Sequence, residues 1–269
     1  MNATAESIRL HLTPTLQYVL RIADTCLIHA QRLVEWCGHG PVLEEDIALS
    51  NMALDLLGQA RALLAHAAQL EGQGFDEDQL AFLRDERQYF NLTLVELPMR
   101  RASAHAPGGD FADTVLRNFL LATWLKALWA QLGASTDSEL AGIAGKAVKE
   151  ARYHQQHAGD WLLRLGDGTD ESARRAGAAL ELLWPYVAEM FEADAVDEHA
   201  VSTGLGPRWA DLREEWMSEV LPVLKEANLK APADRAFRST GKQGRHSEHM
   251  GYILAEMQHL QRSFPGGVW

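Results

Sequence analysis

Residues 42–70, VLEEDIALSNMALDLLGQARALLAHAAQL, decide the fold. The stretch is rich in Ala and Leu and free of proline, so it reads as one helix. At about 1.5 Å of rise per residue that helix is roughly 40 Å long. A helix on a protein surface carries one apolar stripe and one polar face. Here apolar residues fall almost all round: Leu49, Leu56 and Leu63 on one side, Leu57 and Leu64 on another, Leu54 on a third. One narrow polar track, Asn51, Asp55, Gln59 and His66, crosses that wall. Such a helix belongs at the centre of a bundle, covered on every side, and beneath a second protein.

Upstream, Thr13-Pro14 is an N-cap followed by proline at the first helical position. The periodic residues Leu16, Val19, Leu20, Ala23, Leu27, Ala30, Val34 and Cys37 then continue a helix to the turn Gly38-His39-Gly40-Pro41. The two helices form a hairpin. Downstream, Gly72-Gln73-Gly74 stops the organising helix. A shorter helix is expected over 77–90, with the charged run Arg84-Asp85-Glu86-Arg87 as a solvated face. Residues 98–109, PMRRASAHAPGG, read as a long mobile connection.

A third long apolar helix is expected over 113–132, and a fourth, capped by Asp137, to about Leu165. A fifth helix over 172–191 is interrupted by Pro185, short pieces fill 194–245, and a last helix runs from about His246 to Arg262. No stretch alternates with period two for long enough to form a strand. The expectation is one all-α domain of four long helices, two hairpins joined by a crossover over 72–110, with residues 1–12 loosely held.

A hydrophobic fraction of 47% over 269 residues is ample for a core. The net charge of −12, with no Lys/Arg run, disfavours nucleic acid and anionic membranes. The two cysteines, Cys26 and Cys37, lie eleven apart on one expected helix, about 16 Å along its axis, too far for a disulfide. Both are expected to be reduced and buried, as suits the cytoplasm. The N-terminus lacks a signal-peptide pattern, and no run of about 18 apolar residues is present. The eight Trp residues suit a core first and an interface second.

Two helices carry polar stripes of metal-ligand type. In KEARYHQQHAGDW, Glu150, His154, His157 and Trp161 fall within about 60° of one another. In HSEHMGYILAEMQHLQR, His249, Tyr252, Glu256 and His259 fall within about 80°. Glu256 and His259 have the Glu-x-x-His spacing of di-iron carboxylate bundles, which need that pair on two helices and a Glu from each of two others. The second pair fails: Glu150 is followed three residues later by Tyr153, and Ala151 precedes His154 by three. Asp55 is followed three residues later by Gly58, and the third long helix has Asp113 near its start but no Glu. Glu150, His154, Glu256 and His259 are thus remnant metal candidates at most, and Glu150 with His154 also reads as a buried ion pair. No bound metal or cofactor is expected in this chain.

At these residues the chain resembles a known family. The blocks LVEWCGHGPVLEEDIALSNMALDLLGQAR, FLRDERQYFNLTLVELP, KEARYHQQHAGDWLLRLGDGTDES and HSEHMGYILAEMQHLQRSFPG, in that order, are similar to the C-type subunits of multicomponent phenylacetyl-CoA 1,2-epoxidases of aerobic phenylacetate degradation. The resemblance implies a ferritin-like four-helix bundle. It also implies pairing with a homologous A-type subunit, which carries the di-iron site and binds the acyl-CoA, and which its C-type partner holds in shape. Such systems are completed by a flavin/iron–sulfur reductase and a small subunit.

The leading expectation is therefore a non-catalytic structural subunit of a di-iron oxygenase. The alternative is a di-iron oxygenase in its own right; a self-assembling storage bundle would need more interior carboxylates than the sequence supplies. Without its partner, such a chain would expose apolar surface, and a homodimer is the expected cover.

Overall fold

The computed structural model describes residues 5–98, 110–233 and 235–267. Four long helices dominate: α1 (Pro14–Val34), α2 (Leu43–Glu71), α4 (Phe111–Leu132) and α5 (Ser138–Gly166). Shorter ones surround them: α3 (Glu77–Phe82), α6 (Asp170–Leu183), α7 (Ala195–Thr203), α8 (Arg213–Glu226), α9 (Glu248–Met257) and α10 (His259–Ser263). No strand occurs among the described residues, so the all-α class holds. None of these helices is long and apolar enough to cross a membrane.

Local chemistry sets the boundaries. Thr13 accepts from the Leu16 amide with Pro14 in the first turn, and Asp137 accepts from the amides of Glu139 and Leu140. Gly72 ends α2 at φ 77°, a left-handed position that a side chain would disfavour. Gly166 ends α5 where an added Cβ would meet the Ala227 carbonyl oxygen at 1.9 Å, so only glycine lets the two segments touch.

Across the bundle, Glu45 faces His157, Gln59 faces Glu150 and His66 faces Asp137, so α2 and α5 are antiparallel. Trp36 Nε1 donates to Thr114 Oγ1 while His29 lies near Asn118 and Leu125, so α1 and α4 are antiparallel too. With both hairpins antiparallel, α2 and α4 run in the same direction. The chain between them must therefore return the full length of the bundle, the single long crossover of ferritin-like folds. Trp124, Trp129, Trp209 and Trp216 are fully buried, and Trp124 and Trp209 meet edge-on at 4.7 Å between ring centroids.

Two buried carboxylates fasten residues 239–247 to the crossover. Glu96 accepts from Asn91 Nδ2 (2.9 Å), from the Ser247 amide (2.8 Å) and hydroxyl (2.7 Å), and from His246 Nδ1 (2.6 Å). His246 Nε2 donates to the Tyr89 carbonyl (2.9 Å). With acceptors at both ring nitrogens, His246 is an imidazolium. Burial alone would depress it; the Glu96 carboxylate, the Tyr89 carbonyl and Glu86 outweigh that and raise its pKa. Glu189 accepts from the amides of Thr93 (3.0 Å) and Lys242 (2.8 Å) and from Ser239 Oγ (2.7 Å).

Several expectations need correction. Within the run 84–87, Asp85, Glu86 and Arg87 are exposed, but α3 stops at Phe82 and Arg84 is fully buried. Its guanidinium forks onto the buried Asp24 carboxylate (3.0 Å from Nη1) and lies over the Tyr89 ring at 4.2 Å. A charge can be buried when it is paired and fully hydrogen-bonded. Cys26 is buried, but α1 ends at Val34 and leaves Cys37 exposed. Residues 5–12 are tied down, with the Ile8 amide on the Leu83 carbonyl and the Ala5 amide on that of Arg262, both at 3.0 Å. The last helix breaks at Gln258, whose Nε2 donates to the Arg84 carbonyl (2.9 Å) and Tyr89 Oη (2.8 Å). Of the connection expected over 98–109, residues 99–109 lie outside the described residues. Finally, α2 is not covered all round: Leu43, Ile47 and Leu54 are exposed.

Candidate functional site

The four long helices converge on one small interior space. α1 contributes His29, α2 Met52 and Leu56, α4 Asn118 and Ala122, and α5 His154. Inside, the room for the centre of a water molecule is about 10 Å³, the threshold for holding one water. The lining offers two imidazoles, one amide and one thioether, and no carboxylate.

His29 is almost fully enclosed, and its Nδ1 has no hydrogen-bond partner. Burial, then the nearby charges of Arg117 and His154, push its pKa down to about 3, so it is neutral at neutral pH. Asn118 Oδ1 across the space is also without a partner. His154 is buried and its Nε2 meets Asp55 Oδ2 of α2 at 3.0 Å. Burial depresses His154 more than the Asp55 carboxylate raises it.

One turn along, the polar track of α2 is spent on structure. Cys26 Sγ donates to Gln59 Oε1 (3.5 Å), Gln59 Nε2 donates to Glu150 Oε2 (2.9 Å), and Lys146 reaches Glu150 at 3.4 Å. His157 lies 3.1 Å from Glu45, and His66 pairs with Asp137 at 2.7 Å. Glu150 and His154, read from the sequence as a pair, thus do not bond to each other; each reaches across to α2. His66 closes the track at one end, while Asn51 points outward and is exposed. Trp161 turns to the opening of α4, edge-on to Phe111 at 5.1 Å.

Glu256 and His259 are elsewhere altogether. They sit on α9 and α10, outside the four-helix core, separated by the break at Gln258. Both are exposed, and neither makes a hydrogen bond or ion pair with the described residues. A Glu-x-x-His spacing converges on one ion only where an unbroken helix aims it inward, and here neither condition holds.

A di-iron centre takes four carboxylates and two histidines from four facing helices. The donors at this junction do not fit it: Met52, Leu56 and Ala122 stand among them, and His154 is already engaged by Asp55. Among the described residues no group of three or more His, Cys, Asp or Glu could hold a metal ion. Sequence reasoning missed His29, Met52 and Asn118, which fall among apolar neighbours at ordinary core spacing. Only the knowledge of which helices face each other brings them together.

The model of the PaaA_PaaC family, described as phenylacetic acid catabolic protein, matches residues 1–269. The chain belongs to this family. Among curated proteins, it is similar to the C subunit of the 1,2-phenylacetyl-CoA epoxidase of Escherichia coli (strain K12). The two are 49% identical over 252 residues, covering 94% of this chain and 98% of that protein. Within the family, then, the resemblance to a C-type subunit extends over nearly the whole bundle, including the junction and its partners on α2 and α5.

Proposed function

We propose that this chain is a non-catalytic structural subunit of a phenylacetyl-CoA 1,2-epoxidase. It stabilises a homologous catalytic subunit that carries the di-iron site, in the cytoplasm, alongside a reductase and a small subunit. The observation behind this reading is the junction of the four long helices, where Met52, Leu56 and Ala122 pack around an uncharged His29. Shape-filling side chains there stiffen the bundle and leave no donor set for redox chemistry. The chain's own part is then contact: it presents a preformed helical surface and excludes water from the partner's.

Co-expression with the homologous catalytic subunit tests the reading. The two chains are expected to co-elute and the catalytic subunit to gain resistance to unfolding, while this chain alone leaves phenylacetyl-CoA unconsumed. Separate elution at micromolar concentration, or turnover by this chain alone, contradicts it.

A further inference from the structure

After α6 the chain builds a cavity that the four-helix core does not require. Pro185 has no amide with which to continue the helix, and Trp184–Phe191 tighten into a 3₁₀ segment. In such a segment side chains three apart stand above one another. Two adjoining rows result, Trp184 with Val187 and Pro185 with Ala188 and Phe191, and both face one space. Opposite them, Arg213, Trp216 and Met217 share one face of α8, and Arg235 and Arg238 complete the lining. Trp184, Phe191 and Trp216 are buried while the three arginines are exposed, so the cavity has an apolar floor and a basic rim.

The floor is fixed in advance. Trp216 is fully buried and its Nε1 donates to the Leu120 carbonyl (2.9 Å). Its ring lies 5.9 Å from that of Trp184 and meets Phe191 edge-on at 5.2 Å. Rings held in this way lose little freedom when a flat apolar body covers them.

The rim is basic in a chain whose net charge is −12. Among the described residues, three guanidinium groups and one carboxylate, that of Glu192, line the space. Arg238 Nε holds Glu192 (2.6 Å), its Nη1 donates to the Phe237 carbonyl (2.8 Å), and Arg235 reaches Glu181 (2.8 Å). Both ion pairs stand partly in water and are therefore weak, so an incoming anion can exchange with them. Guanidinium forks match carboxylates, whereas a cation would be repelled.

We propose that this cavity binds a small organic carboxylate with a flat apolar body, its ring over Trp184 and Trp216 and its charge among Arg213, Arg235 and Arg238. The cavity measures about 290 Å³, at the lower edge of the roughly 300–1,000 Å³ of small-molecule sites. Two larger hollows, one beside Arg9 and one beside Gly244, are more open and lack an aromatic floor. The site is separate from the helix junction and independent of the structural-subunit reading.

NMR of the full chain labelled at its tryptophan indoles, titrated with 2-naphthoate, tests the site, with Trp184→Phe assigning one signal. Saturation is expected with a Kd below about 1 mM, the Trp184 and Trp216 signals moving and those of Trp124 and Trp129 staying still. The uncharged 2-naphthamide, of the same shape, is expected to bind at least about tenfold more weakly. Arg238→Gln should weaken 2-naphthoate binding, and Ala188→Phe, which fills part of the cavity from a half-buried position, should abolish it without lowering thermal unfolding of the free chain. No saturable shift at about 5 mM, or an amide that binds as tightly as the acid, overturns the proposal. Shifts left unchanged by both Arg238→Gln and Ala188→Phe overturn it as well. None of these results bears on association with the catalytic subunit, so the structural reading stands or falls separately.

Discussion

Two buried polar regions of this molecule are built on opposite terms. At the helix junction, His29 and Asn118 are enclosed but under-partnered, and the imidazole is held neutral. At the clasp, Glu96 and His246 are as deeply enclosed but charged, and Glu96 receives four hydrogen bonds, from Asn91, His246 and Ser247. An enclosed charge survives only with partners on all sides, and the clasp has them. The junction lies where the four long helices meet, and there His154 is held by the Asp55 carboxylate while His29 Nδ1 has no partner. Polar residues persist there as packing, whereas at the clasp they tie distant segments of chain together.

The largest effect should come from breaking the clasp. Glu96→Ala leaves the His246 cation enclosed without its counter-charge and removes acceptors from Asn91 and Ser247. A loss of about 3–5 kcal/mol in denaturant unfolding is expected. If Glu96→Ala unfolds like the wild type, the clasp is ornamental and the contrast collapses.

The junction should reveal itself in acid. His29 has a folded pKa pushed down to about 3, against about 6.5 when unfolded. Its contribution is present above about pH 6.5 and is lost as pH falls towards 3, on the order of 1.4 kcal/mol per pH unit. His29→Leu is expected to flatten that limb. At pH 7 it should cost less than about 1.5 kcal/mol, since Nδ1 gives up no hydrogen bond. Urea unfolding across pH checks both.

The clasp has the opposite sign. His246 is raised, so its contribution is complete below about pH 6.5 and disappears as pH climbs through the higher folded value. In the same titration, His246→Gln should flatten the alkaline side and leave the acid limb of His29 unchanged.

The smallest effect is expected on α9 and α10. Glu256→Ala and His259→Ala should change stability by less than about 0.5 kcal/mol, because both side chains stand in water without partners among the described residues. A change several times larger would mean that this pair works in a way its exposure does not suggest.

Much of the architecture is legible because it is written in local chemistry. Thr13-Pro14, Asp137 and Gly72 mark helix ends whatever surrounds them, and a proline-free run from 42 to 70 has one reading. What the sequence conceals depends on distant neighbours. Arg84 looks like a solvated charge until Asp24, sixty residues earlier, is known to lie beneath it. Glu256 and His259 look like ligands until α9 is seen to pack outside the core and to break at Gln258. Leu54 on α2 looks interior because apolar residues surround the helix axis, yet it faces outward. The apolar wall around that helix is two surfaces, one facing the core and one open.

The most direct test of the account is the iron content of this chain after reconstitution with ferrous iron and separation from any partner. A junction filled by Met52, Leu56, Ala122 and a neutral His29 predicts folded protein with iron far below stoichiometric. About two irons per chain, the complement of a working carboxylate bundle, would contradict it.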